Sequence, residues 1–183
     1  MSRLFEIFVK SYALSPEKEP DFFSYIGDLY STDEVQSMRQ YPQHSNVNRL
    51  DHIRAVTYMS YKISKKLSLD VKATARAALL HDLTYYDWHD PDTSHRPHGF
   101  RHPGFAAMNA KLLVPDLTRK EKYIILRHMW PLTILPPSSL EGFVVTFSDK
   151  YCASMEMKIT KKEKHGNRFR NMLDEINGSL NNK

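Results

Sequence analysis

Several histidines and aspartates recur at helical spacing among apolar side chains, where ionisable groups are costly. His52 continues a stripe through Val56, Met59 and Ile63 at i, i+4, i+7 and i+11, which turns its imidazole inward. Asp82 ends the stripe of Val71, Ala75 and Ala78, and His81 precedes it directly. Adjacent helical residues diverge by about 100°, so both reach one point only where the helix ends and the chain opens out. His128 follows Ile124 and Ile125 at i+4 and i+3, and Asp149 shares a face with Val145 and Cys152. A buried carboxylate without a partner is heavily penalised, and a cation offsets that penalty. Inward aspartates and histidines from four separate helices therefore predict a shared ligand sphere. Histidine and carboxylate without thiolate suits iron, manganese, zinc, nickel or cobalt. Taken singly, each inward histidine is explained as well by a hydrogen bond to a backbone carbonyl.

The elements that must position these groups read as helices. Few alternating apolar runs argue against strands, whereas apolar residues at helical spacing follow recognisable start signals. The capping-box form S/T-x-x-E occurs at Ser31 to Glu34, Thr118 to Glu121 and Ser138 to Glu141. Helices are predicted at about 21–30, 32–40, 48–67, 70–82, 103–113, 119–129 and 139–156, with a weaker one near 167–177. Between them, Leu83 to Arg101 is rich in aromatics, histidine and proline, and Trp130 to Pro137 cannot continue a helix. Both read as ordered loops near a site. The fold class is all-α, a helical bundle in a single domain, with the core at about 46–156, N-terminal helices in 1–45 packing on it, and a basic helical tail at 157–183.

Bulk properties narrow the function classes. A chain of 183 residues with 41% hydrophobic and 26% charged residues has the composition of one globular domain. No apolar run reaches the roughly 18–20 residues of a membrane helix. The N-terminal stretch LFEIFV is interrupted by Glu6 and lacks a small-residue cleavage pattern, so no secretory signal is expected. A single cysteine, Cys152, excludes an internal disulfide framework and agrees with a cytoplasmic location. The net charge of +5 is concentrated between Lys158 and Arg170, and without interleaved aromatics it reads as a solvated tail more than a nucleic-acid surface.

The order of these residues resembles a known family. His52, the dipeptide His81-Asp82 and Asp149 in the context FSDKY are similar to the H…HD…D signature of the HD superfamily of metal-dependent phosphohydrolases, over roughly residues 46–156. HPGFAAMNA from His102 resembles the HPxxGAxxL stretch that supplies a further histidine in the HD-GYP branch, and ILRHMWP puts His128 at another such position. The resemblance implies Asp82 as a bridging carboxylate, His52, His81 and Asp149 on one ion, and His102 and His128 on a second. Ala106 replaces the family's glycine, Tyr85 stands where HD-GYP proteins carry lysine, and no GYP signature is present. Cyclic dinucleotides are therefore not the expected substrate, and small stand-alone HD proteins are the nearer likeness.

One or two divalent ions against two aspartates and four neutral histidines would leave a positive site for phosphate, and would acidify water to a hydroxide for in-line attack. The implied reaction is hydrolysis of a phosphate ester or anhydride of a nucleotide or other small phosphorylated metabolite. A di-iron oxygenase-like role on the same framework and a non-catalytic sensor module are the alternatives. Lys150, Arg101 and Arg127, each beside an implied ligand, are candidates to hold phosphate or are surface charges. His98, or His89 or His95 from the same segment, would serve as a general acid or a pocket wall, or lie on the surface. Trp130, Trp88, Tyr85 and Tyr86 either stack on a base or close the core. Cys152 reads as a packed small residue and not a ligand.

Overall fold

The helix that carries His52 has 13 of its 18 residues buried, which requires neighbours on more than one side, and the other elements pack around it. A computed structural model describes residues 2–44, 47–90, 94, 96–161, 171, 175 and 178. Its helices are α1 (Arg3–Lys10), α2 (Pro20–Tyr30), α3 (Asp33–Gln36), α4 (Arg49–Lys66), α5 (Val71–Leu80), α6 (His98–Leu113), α7 (Arg119–Arg127) and α8 (Leu140–Lys161). Short 3-10 turns follow α1 at Ser11–Ala13 and α3 at Ser37–Gln40. The protein is a mostly helical single domain. Among the described residues no helix is long and apolar enough to cross a membrane.

Local chemistry sets the helix ends. Asn48 caps α4 by accepting from the Asp51 N–H at 2.9 Å, and Asp70 caps α5 through the Ala73 N–H at 3.1 Å. At α7 the capping box is complete: Thr118 Oγ1 accepts from the Glu121 N–H, and Glu121 accepts from the Thr118 N–H at 2.8 Å. The other two boxes are displaced by one residue. Ser31 closes α2 and Thr32 caps α3, while Ser139, not Ser138, accepts from the Gly142 N–H ahead of α8. In each case the neighbouring hydroxyl is the one aimed at the free amide groups of the first turn.

Three differences from the predicted elements matter for the site. First, α1 and the turn after it form where no helix is expected, and they bury Phe8, Val9 and Ser11 against α4. Second, Pro42–His44 and Val47–Asn48 pair antiparallel as a two-stranded ribbon, too short for alternation to register in sequence. Third, α6 begins at His98, ahead of the expected start near residue 103, so Pro103 lies inside it. As the sixth residue of α6, Pro103 forgoes a bond to the Gly99 carbonyl and crowds it, a cost that the helix absorbs. The aromatic loop is shortened accordingly. The predicted segment near 167–177 and His95 lie outside the described residues, apart from positions 171 and 175.

The core joins both halves of the chain. Phe22 of α2 packs edge-on against Tyr58 of α4, with ring centroids 5.3 Å apart. Ala75, Ala77 and Ala78 on α5 are fully buried, and their small side chains let α4 approach closely. α8 crosses α4 on another side and brings Val145 and Cys152 into the same core. The carboxyl ends of α5 and α7, an inner turn of α6 and the middle of α8 thereby meet beside the first turn of α4.

Candidate metal centre

Each of the four implied histidine ligands is held by its inner nitrogen. His81 and His128 stand just past the ends of α5 and α7, and each directs Nδ1 at a carbonyl of the last turn, Ala78 O and Ile125 O, both at 2.7 Å. His102 Nδ1 faces His98 O at 3.0 Å, one turn back on α6. His52 Nδ1 faces Glu156, with Oε2 at 2.9 Å and Oε1 at 3.1 Å. Carbonyl and carboxylate oxygens only accept, so the hydrogen-bond network assigns a proton to all four Nδ1 atoms. All four Nε2 atoms are then the ones turned inward, where each can offer a lone pair to a cation.

Those lone pairs converge. His102 Nε2 and His128 Nε2 are 2.9 Å apart, and Asp82 Oδ1 lies 3.2 and 3.6 Å from them. His52 Nε2 is 3.2 Å from Asp149 Oδ1. His81 Nε2 sits between the two groups, 3.6 Å from Asp82 Oδ2 and 3.8 Å from Asp149 Oδ1, and it has no hydrogen-bond partner although fully buried. Two opposed imidazole lone pairs and an orphaned third are unfavourable unless a cation lies among them. The donor set of His52, His81 and Asp149, and that of His81, Asp82 and His128, each cluster within 4.8 Å. The residues present thus fit divalent ions, and histidine with carboxylate suits several first-row metals.

Burial alone would lower His52 and His81, but Glu156 and Asp149 hold His52 well above the ordinary imidazole value and Asp82 and Asp149 raise His81, so positive charge is favoured at the place a divalent ion would take. Burial alone would raise Asp82, but His81 and His102 override it and hold the carboxyl well below the usual range. Asp149 is partly buried, which would raise it too, but His52 and His81 hold it well below that range. Burial works against the charged form of His128, and with His102 and His81 nearby its pKa is pushed down to about 3. His128 is therefore neutral at physiological pH, the form in which imidazole ligates.

Residues around the six include several that spacing did not single out. Gln43, on the first strand of the ribbon, donates from Nε2 to Asp82 Oδ2 at 2.7 Å. Its Oε1 accepts from Arg49 Nε at 2.9 Å, and Arg49, 1% exposed, also donates to Thr84 O and to Tyr86 O. His44 packs edge-on against His52, with centroids 5.2 Å apart, and burial pushes its pKa down. Glu156 has a signal in sequence, since it extends the stripe of Val145, Asp149 and Cys152 by one more turn. Gln43 and Arg49 have none, because the ribbon that places Gln43 is invisible to periodicity.

The expected substrate contacts divide into two groups. Lys150 donates to His128 O at 3.1 Å and stands 3.9 Å from Asp149 Oδ2. His98 stacks on His102 at 4.5 Å between centroids, with Tyr86 Oη 3.2 Å from its Nδ1. These two flank the cluster. Arg101 bonds Ser94 O and lies over Phe105, whereas Arg127 bonds Pro136 O and lies over Tyr123. Trp130 packs edge-on against Phe143. None of the contacts described for these three is to the cluster. Trp88 stacks with His98, and His89 pairs with Asp87 on the exposed side. Cys152 is buried, where apolar surroundings raise its thiol pKa well above the ordinary value.

A helical bundle that turns four imidazoles and two carboxylates onto one buried point defines a class of histidine- and aspartate-based metal-binding domains. Within that class, the family model of the HD domain matches residues 49–154, more than half of the chain, and the chain belongs to this family. No curated protein and no solved structure matches it.

Proposed function

We propose that the protein is a metal-dependent phosphohydrolase that cleaves a phosphate ester or anhydride of a nucleotide or other small phosphorylated metabolite. The reading rests on one observation, the convergence of four Nε2 lone pairs and two carboxylates in a buried space, together with membership of a family typified by phosphohydrolases. Divalent ions held there would supply Lewis acidity toward phosphate oxygens and acidify a bound water toward neutrality. His52, His81 and Asp149 would hold one ion, His102 and His128 the other, and Asp82, with one oxygen toward each group, would bridge them.

The chain's own groups then divide the remaining work. Lys150 presents an ammonium at the edge of the site, with one of its three donors on His128 O, and would bind phosphate with the others. The described contacts of Arg101 and Arg127 are to Ser94 O, Phe105, Pro136 O and Tyr123 and not to the cluster, so they are proposed as secondary contacts. His98, beside His102, is proposed to give a proton to the leaving oxygen, and Trp130 to close over the substrate. The test is phosphate release by the purified protein, stripped and then reloaded with manganese, iron, zinc, nickel or cobalt, over a panel of phosphate esters and nucleotides. Release with at least one metal is expected, and silence with every metal would overturn the proposal.

A further inference from the structure

Glu156 is a fully buried carboxylate two turns beyond Asp149 on α8, and a group of that kind requires compensation. Both of its oxygens lie within 3.1 Å of His52 Nδ1, and Oε1 accepts from the Tyr12 hydroxyl at 3.0 Å. Tyr12, in the turn after α1, and Glu156 both fall outside residues 49–154, so neither belongs to the part of the chain that matches the HD family model. A carboxylate cannot donate, and its position holds the imidazole proton on Nδ1 and leaves Nε2 aimed at Asp149. A ligating histidine commonly depends on such a partner to fix its tautomer and ring plane.

The geometry points to Glu156, itself held by Tyr12, as the positioning residue that locks His52 for metal ligation, so that segments flanking the HD core complete its metal centre. This assignment rests on the metal centre of the proposed function. A rival arrangement uses the same atoms: His44, His52 and Glu156 also cluster within 4.8 Å, and an ion there would take Nδ1 in place of the proton. The two arrangements put opposite nitrogens of His52 on the metal.

Nitrogen-15 NMR of the wild-type protein loaded with zinc, a diamagnetic probe, separates them. We expect His52 to show a protonated Nδ1 and a zinc-bound Nε2, and zinc on Nδ1 or a proton on Nε2 would overturn the assignment. In zinc titrations Glu156→Ala should weaken the tighter site by about 10- to 100-fold. Glu156→Gln, which keeps an acceptor oxygen, should restore most of that loss, and Tyr12→Phe should weaken binding by a smaller factor. Unchanged affinity in Glu156→Ala would count against the role. If that variant fails to fold, the wild-type spectrum and Tyr12→Phe still decide. Failure of the wild-type protein to take up zinc would overturn this assignment and the metal reading together, whereas zinc uptake with no phosphate release under any of the metals in the panel would overturn the proposed reaction alone.

Discussion

At the scale of single residues, the account turns on how each ligand is presented. Asp82 has one oxygen toward His102 and His128 and the other toward His81 and Gln43, so its charge serves both groups of histidines. Asp82→Asn preserves shape but removes that charge. Metal content should fall and kcat/KM should drop by about 100-fold or more, since metal-borne charge stabilisation is worth several kcal/mol; metal analysis and phosphate assays on the same preparation check this. Lys150→Met should instead raise KM with kcat nearly unchanged, as expected for a contact made equally in ground and transition states. His52, Asp82, His128 and Asp149 were legible in sequence because helical spacing put each on an apolar stripe, and His81 because it adjoins Asp82 where the helix ends. His102 lacked such a stripe and came from its resemblance to a family motif. Glu156 carries the same spacing signal but was not singled out, because its partner Tyr12 is on a segment that no pattern linked to α8. Tyr12 and Gln43 act through tertiary contacts alone, and nothing local betrays them.

At the scale of elements, the two-stranded ribbon and the first turn of α4 hold the loop that follows Asp82. Arg49 is their joint, buried and donating to Gln43, Thr84 and Tyr86. Arg49→Met would fill part of the space but leave those acceptors without donors. Hydrogen bonds to a charged group contribute about 1.5–3 kcal/mol each, so the variant should lose about 3 kcal/mol or more in denaturant unfolding. A loss under about 1 kcal/mol would mean that the loop is held by other means. The helices of the core were predictable because their apolar periodicity is long and their caps are strong. The start of α6 was not, because Pro103 reads as a first-turn proline while the helix in fact forms a turn earlier, from His98.

At the scale of the whole molecule, the amino ends of α5, α7 and α8 are tied by Asp70, Lys120 and Glu141. Lys120 reaches Asp70 at 3.1 Å and Glu141 at 3.4 Å. The Ala73 N–H, together with Lys120, holds Asp70 below the usual carboxylate range. Burial alone would raise Glu141, but backbone N–H bonds and Lys120 hold it below as well. A carboxyl whose folded pKa is depressed contributes stability above its unfolded-state value and loses it as pH falls through the folded value. Lys120→Ala should therefore cost stability at pH 7, by under about 1 kcal/mol because solvent screens the cluster. That cost should shrink on acidification below the ordinary carboxylate range, and paired denaturation curves across pH give the comparison.

The convergence of six side chains on divalent ions is tested most directly by anomalous diffraction from crystals of the protein grown with manganese. The account predicts two peaks roughly 3.5–4 Å apart. One should lie among His52, His81 and Asp149 and the other beside His102 and His128, with Asp82 reaching both. A map with manganese elsewhere, or with none against these residues, would contradict it.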